Sequence, residues 1–170
     1  YKSTGFGVYA QDMVEVAPHW KVLAGLRYDN LEGRYNTYNT STGAVTGSYT
    51  MKVSEFSKRA GVLFQPNELQ SYYMSLGTSF NTSGDAYSLN SDNVNTPPEQ
   101  SINFEIGGKF DAPSKQWSTR VAAFRTTKLH ERNTDPLVNL TTLSGKRHVA
   151  GAEVDISGRI TPKWEMFGSY

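Results

Sequence analysis

The 170 residues carry 17 Lys and Arg against 16 Asp and Glu, a formal charge of +1, so nothing in the charge balance marks nucleic acid or another polyanion as a partner. Cysteine is absent, which excludes a disulfide framework, a thiolate metal site and a cysteine nucleophile. Mean hydropathy is −0.53, and no apolar run approaches the roughly 18 residues of a membrane helix; alternating transmembrane strands would escape that measure.

The residues in excess are Gly, Tyr, Phe, Ser, Thr and Asn, a mixture suited to strands and turns. Eight strands are predicted in chain order. In the first, "TGFGVYAQDMVEV", Phe6, Val8 and Ala10 share a face opposite Tyr9 and Gln11. After the turn "APHW", the second has Val22, Ala24, Leu26 and Tyr28 opposite Leu23, Gly25, Arg27 and Asp29. The stretch "LEGRYNTYNTSTGAVTGS" then reads as a long loop. The third strand, near Tyr49 to Phe64, alternates Ala60, Val62 and Phe64 with Arg59, Gly61 and Leu63; strict alternation would put Lys58 on the apolar face, and a bulge is expected to re-aim it.

"QPNELQ" is a tight connection to "SYYMSLGTSF", where Tyr72, Met74, Leu76, Thr78 and Phe80 oppose Tyr73, Ser75, Gly77 and Ser79. A second long polar stretch, residues 81–97, precedes "PEQSINFEIGGKF", with Ile102, Phe104, Ile106 and Phe110 on alternate positions. "DAPSKQ" turns into the sixth strand, Trp117 to Lys128; a third long loop, "LHERNTDPLVNLTTLSG", leads to "KRHVAGAEVDISG", and the eighth strand is unfinished at "WEMFGSY".

Connections are thus short after the odd strands and long after the even ones as far as the sixth, the pattern of outer-membrane barrels with short periplasmic turns and long extracellular loops. Strands of about 9 to 13 residues suit a tilted bilayer crossing. Arg27, Asp29, Arg59, Glu105, Lys109, Arg120, Glu153 and Asp155 fall opposite the aliphatic stripe. In a soluble sandwich that stripe would be core; in a barrel it meets lipid and the charges line the lumen. Periodicity alone leaves both open. Trp20, Tyr28, Tyr72, Phe80, Phe110, Trp117 and Trp164 would form interfacial girdles in the membrane reading.

The runs "GVYAQDMVEVAPHWKVLAGLRYD", "FSKRAGVLFQP", "SYYMSLGTSF", "PPEQSINFEIGGKFD" and "GKRHVAGAEVDISGRITPKWEMFGSY", in that order, resemble the barrel of TonB-dependent ferric-siderophore receptors across essentially the whole chain. The resemblance implies an all-β, antiparallel up-and-down transmembrane barrel of about 22 strands, of which residues 1–170 form a partial barrel domain of about eight meandering strands, without the plug domain or the remaining strands. It also implies a place in the bacterial outer membrane, surrounded by outer-membrane lipid, with a ferric siderophore as ligand and energy from the TonB complex through the missing parts. Eight strands cut from so wide a barrel would be an arc with two unpaired edges. A complete eight-stranded barrel is the rival, supported by the aromatic end at Tyr170, but "WEMFGSY" has too few residues to cross; a soluble all-β binding module is the other.

No hydrolase, zinc-protease, phosphate-loop or dinucleotide fingerprint occurs, so an enzyme is not expected, and neither is a cofactor. His130 and His148 flank one loop, yet surface histidines explain them better than a metal site; Asp85 and Asp92 lack calcium-loop spacing. The expected ligand-binding residues are Arg34, Tyr35, Tyr38 and Tyr49 in the first long loop, Tyr87 in the second, and His130, Arg132, Lys146 and Arg147 around the third. Cations and tyrosine rings complement ferric catecholates, which are anionic and aromatic; hydroxamate complexes stay open.

Overall fold

The computed structural model describes residues 1–82, 89–91, 94–134, 141–143 and 145–170, with backbone alone for 132–134 and 141–143. Its strands are β1 (Lys2–Ala17), β2 (Trp20–Tyr38), β3 (Val45–Asn67), β4 (Gln70–Asn81), β5 (Glu99–Asp111), β6 (Trp117–Leu129), β7 (Arg132–Thr134), β8 (Thr141–Leu143), β9 (Lys146–Thr161) and β10 (Trp164–Ser169). Eight of them form one antiparallel sheet in the order β1-β2-β3-β4-β5-β6-β9-β10, so every neighbour in the sheet is the next long strand in the chain. The pair β7–β8 is a separate small hairpin inside the third long connection.

Sequence period two becomes two faces because paired residues keep their parity from strand to strand. Val22 faces Val62, which faces Met74, which faces Ile106, which faces Ala123. Among the described residues nothing covers this stripe: Val22, Leu26, Ile106 and Val154 are 37%, 49%, 52% and 38% exposed. A sandwich would seal them between layers at near-native density, whereas a single layer with bare aliphatics on one side is the wall of a membrane barrel.

Aromatic rings edge the stripe. Trp20 stacks on Phe64, Phe64 on Tyr72, and Tyr72 meets Phe110 edge-on, making a continuous row at the short-turn end. Tyr28 and Phe56 pair at the other end. From Trp20 to Tyr28 the strand runs about 27 Å at about 3.4 Å per residue, and a tilt of about 40° projects this to roughly 20 Å, close to the apolar band of about 25 Å in outer-membrane barrels.

Three expectations change. The first long loop is mostly strand: β2 and β3 stay paired to Tyr38 and Val45, leaving only residues 39–44 as a turn. No bulge re-aims Lys58, since the β2–β3 register is unbroken from Trp20–Phe64 through Leu26–Lys58 to Thr37–Gly47. Lys58 therefore stays on the apolar face, next to the Tyr28–Phe56 pair, where a long stem can carry its ammonium toward the interface. Finally, Phe80 leaves the girdle and packs against a small cluster described below.

The β3–β4 ladder rises from the short turn only as far as Arg59–Gly77, while β2–β3 continues far beyond it. At the fork the Lys58 amide donates to Thr78 Oγ1 at 2.9 Å, and Gln100 Nε2 donates to Glu55 Oε2 at 3.0 Å across the gap. The upper β2–β3 hairpin is consequently an arm rising from the wall.

Candidate functional site

Along the polar face, several charged side chains find partners. Arg27 donates from Nε and Nη2 to the two carboxylate oxygens of Asp29, each at 2.7 Å. Tyr73 Oη donates to Glu105 Oε1 at 2.5 Å, and Arg120 reaches Asp155 from β6 to β9 at 2.9 and 2.6 Å. Such a lining suits a water-filled or plugged lumen and would be ruinous against hydrocarbon.

Higher, toward the long connections, the same face carries the small buried cluster: Met51, Val53 and Leu89, 4%, 6% and 2% exposed. The rungs Leu31–Val53, Gly33–Met51 and Tyr35–Tyr49 stack there, and Leu89 of the second connection closes over them. Tyr35 and Tyr49 are thus a cross-strand pair on the polar face. Alternation sends Arg34 and Tyr38 to the opposite face; Arg34 Nε donates to Glu32 Oε1 at 2.6 Å and Asn36 Nδ2 to Tyr38 Oη at 3.5 Å. Residues 94–98 lie along Thr50–Glu55 and leave a groove of about 560 Å³ between them.

Across the sheet, β5, β6 and β9 bring a second charged group to the polar face. Lys128 Nζ is 3.1 Å from Glu99 Oε1, and Arg147 Nε is 3.0 Å from Glu131 Oε2, with Lys128 and Arg147 opposite each other on β6 and β9. Both carboxylates are nearly buried while Arg147 remains largely exposed, so its guanidinium edge is available to an anion. Glu99, Lys128 and Glu131 were not among the residues expected from sequence; their partners become visible only with the strand register.

His130 directly follows β6 at a φ of +55°, a backbone bend that terminates the strand. Lys146 begins β9 on the apolar side, as does His148 two residues on, so alternation separates these two from Arg147. Among the described residues no group of three or more His, Asp or Glu gathers to hold a metal. Tyr87 and the side chain of Arg132 lie outside the described residues.

The family model "TonB dependent receptor-like, beta-barrel" matches residues 1–170. The chain belongs to this family. It is 34% identical over 174 residues to the probable TonB-dependent siderophore receptor PiuA of Acinetobacter baumannii, covering 96% of the chain and 23% of that receptor. The crystal structure of the A. baumannii siderophore receptor PiuA superposes with a TM-score of 0.82 at 30% identity, over 98% of this chain and 25% of the other. The closed form of the ferric-catecholate import receptor Fiu from Escherichia coli K12 shares the fold at a TM-score of 0.80 and 21% identity, over 98% and 28%. TonB-dependent receptor barrels stand in the outer membrane of Gram-negative bacteria, and this chain matches part of such a wall, spanning about a quarter of the length of the relatives it matches. Its apolar face is therefore the lipid face, its polar face the lumen, and its long connections the extracellular end.

Proposed function

We propose that the chain is the wall segment of an outer-membrane receptor that captures ferric siderophores and passes them inward with energy from the TonB complex. The remaining strands and the plug would come from the rest of the receptor, and its task would be binding and gated transport rather than catalysis. One observation supports the ligand class most directly: the extracellular half of the lumen face presents the Tyr35–Tyr49 pair and the exposed guanidinium of Arg147. Flat aromatic surface on β2 and β3 and, across the same face on β9, a cation with spare donors suit an anionic, aromatic iron chelate of the catecholate kind. His130, Arg132 and Tyr87 belong to the connections bordering the same mouth and complete the proposed contact set. Arg34, Tyr38 and Lys146 alternate to the outer side of the wall, away from the lumen, and are left out of the proposed set.

In the full-length receptor, R147Q and Y49A should each weaken binding of a ferric tris-catecholate about ten-fold, the scale of one charge-assisted hydrogen bond or one aromatic contact. Quenching of intrinsic tryptophan fluorescence would follow the titration. Unchanged affinity in the double variant, with the barrel intact, would defeat the catecholate reading, and a preference for a hydroxamate chelate would replace it.

A further inference from the structure

Above the fork the wall has a slot. The β3–β4 ladder stops at Arg59–Gly77 while β4 and β5 stay paired up to Asn81–Glu99, so the upper parts of β3 and β4 stand apart, tied at the base by the Lys58–Thr78 bond. Two side chains cross this slot. Phe80 and Gln100 face each other on β4 and β5, and alternation assigns both to the lipid side together with Ile102. Phe80 nevertheless packs against Met51, Val53 and Leu89 on the lumen side, and Gln100 Nε2 donates to Glu55 Oε2, which shares the lumen side with Val53. A ring and an amide that set out from the lipid side thus end on the other, and the two faces communicate here.

Two grooves meet at the slot. The outer one, about 340 Å³, opens beside the Tyr28–Phe56 pair at the extracellular edge of the lipid face; Phe56, Phe80, Ile102 and Leu129 wall it, and the stem of Lys58 runs alongside. The groove of about 560 Å³ between Thr50–Glu55 and residues 94–98 lies higher and is polar, with Thr50, Lys52, Asn95 and Thr96 on its sides. Ser54 and Glu55 line both, so the grooves form one path. Phe80 carries the apolar side of that path to the Met51 cluster, and hence to Tyr35 and Tyr49.

We propose that the slot binds an alkyl tail attached to the iron chelate, which makes acylated, amphiphilic siderophores the ligand class. The iron-bearing head lies at the Tyr35–Tyr49 pair, the polar linker along Thr50–Glu55 and the tail in the outer groove. The inference rests on the reading of the lumen mouth as a chelate site. At roughly 30 Å³ for a water-sized group such as a methylene, the outer groove has room for a chain of about ten carbons. Polarity selects this occupant over a membrane lipid. An outer-leaflet lipid keeps its head at the interface and its chains below it in hydrocarbon, whereas this path turns polar as it rises and leads inward, the order of groups in a ligand held from above by its head.

The full-length receptor in lipid nanodiscs would be given radioactive-iron complexes of a synthetic tris-catecholate and a synthetic tris-hydroxamate, each bearing a decanoyl or an acetyl group on the same amide linker. For the preferred head, the ratio of decanoyl to acetyl affinity should be about ten-fold larger in the native receptor than in Ile102→Trp, whose indole fills the groove; about two buried methylenes produce such a difference. Comparing the two proteins cancels the partition of the tail into the nanodisc. A diazirine at the tail end should label residues 54–58, 78–80, 102 or 129 of the native receptor, located by mass spectrometry, and excess acetyl chelate should suppress that labelling by occupying the head site. Labelling with the hydroxamate head alone would defeat the catecholate reading and still support the slot. If a head binds but neither tail labels these residues, the slot assignment falls by itself; if neither acetyl chelate binds, the reading of the mouth falls and takes the slot with it. An unchanged affinity ratio in folded Ile102→Trp, or equal labelling by a phosphatidylethanolamine with the same diazirine tail, would also overturn the proposal.

Discussion

Tyr73 on β4 sits opposite Gly107 on β5, and its ring fills the space that a side chain at 107 would need. A β-carbon there would come within 2.7 Å of Tyr73 Cζ and Oη and of the Val121 carbonyl oxygen. The ring can swing away; the Val121 backbone cannot. With the tyrosine laid across the glycine, its hydroxyl reaches Glu105 on the same strand as the glycine. Gly107→Ala should therefore destabilise the barrel by about 1–3 kcal/mol, the usual cost of forcing extra volume into a packed site. Denaturant unfolding of the full-length receptor in lipid vesicles measures it, and Y73F, which keeps the ring, should leave the steric part of the loss in place.

Leu76 points to lipid between Ala60 and Phe104, and its neighbour in sequence, Ser75, points to the lumen. Leu76→Arg should cost about 2–4 kcal/mol, as for cations introduced near the midplane of a barrel's lipid face. Ser75→Asn should change stability by less than about 0.5 kcal/mol. The same unfolding assay in vesicles distinguishes the two, and equal losses would contradict the assignment of faces.

Leu89 anchors the second long connection to the arm formed by β2 and β3. Leu89→Ala removes about 2–5 kcal/mol of local packing, an amount that falls on the connection and the arm rather than on the wall beneath. Amide exchange at residues 49–53 and 89–91 should accelerate markedly while that of residues 71–77 stays unchanged.

Glu32 stands on the arm above the aromatic edge. The hydrogen bond from Arg34 Nε holds its carboxyl below the ordinary range, with partial burial opposing and the charges of Arg34 and Lys52 assisting. A carboxyl depressed in the folded state stabilises fully above its unfolded value of about 4.3, and that contribution disappears as pH falls through the lower folded value. Exchange protection at the Glu32–Lys52 rung, corrected for intrinsic rates, should decline with acidification through that window. E32Q should lack this acid-dependent step.

Strand existence and face were legible in the sequence wherever one side meets hydrocarbon, because there alternation is enforced by the medium: Val22, Ala24, Leu26 and Tyr28 declare their strand at sight. Above Tyr28 both faces of β2 meet water or protein, polarity no longer alternates, and "EGRYNTY" takes on the composition of a loop while remaining paired to β3. The supposed bulge at Lys58 came from assuming that lysine shuns the lipid side, although a flexible stem near an interface escapes that cost. Tyr35 and Tyr49 were recognised as residues of interest, but their pairing depends on register, and Leu89 reaches them from a distant connection. The ion pairs Glu99–Lys128 and Glu131–Arg147 were hidden for the same reason.

Because β3 parts from β4 above Arg59–Gly77, the β2–β3 hairpin beyond that fork adds reach without adding circumference. Two residues gained or lost on each limb would lengthen or shorten the projection while leaving the stagger and diameter of the cylinder below untouched. A lineage of such proteins is free to remodel what it presents to the outside world by length alone, with no need to redesign the part that must fit the bilayer.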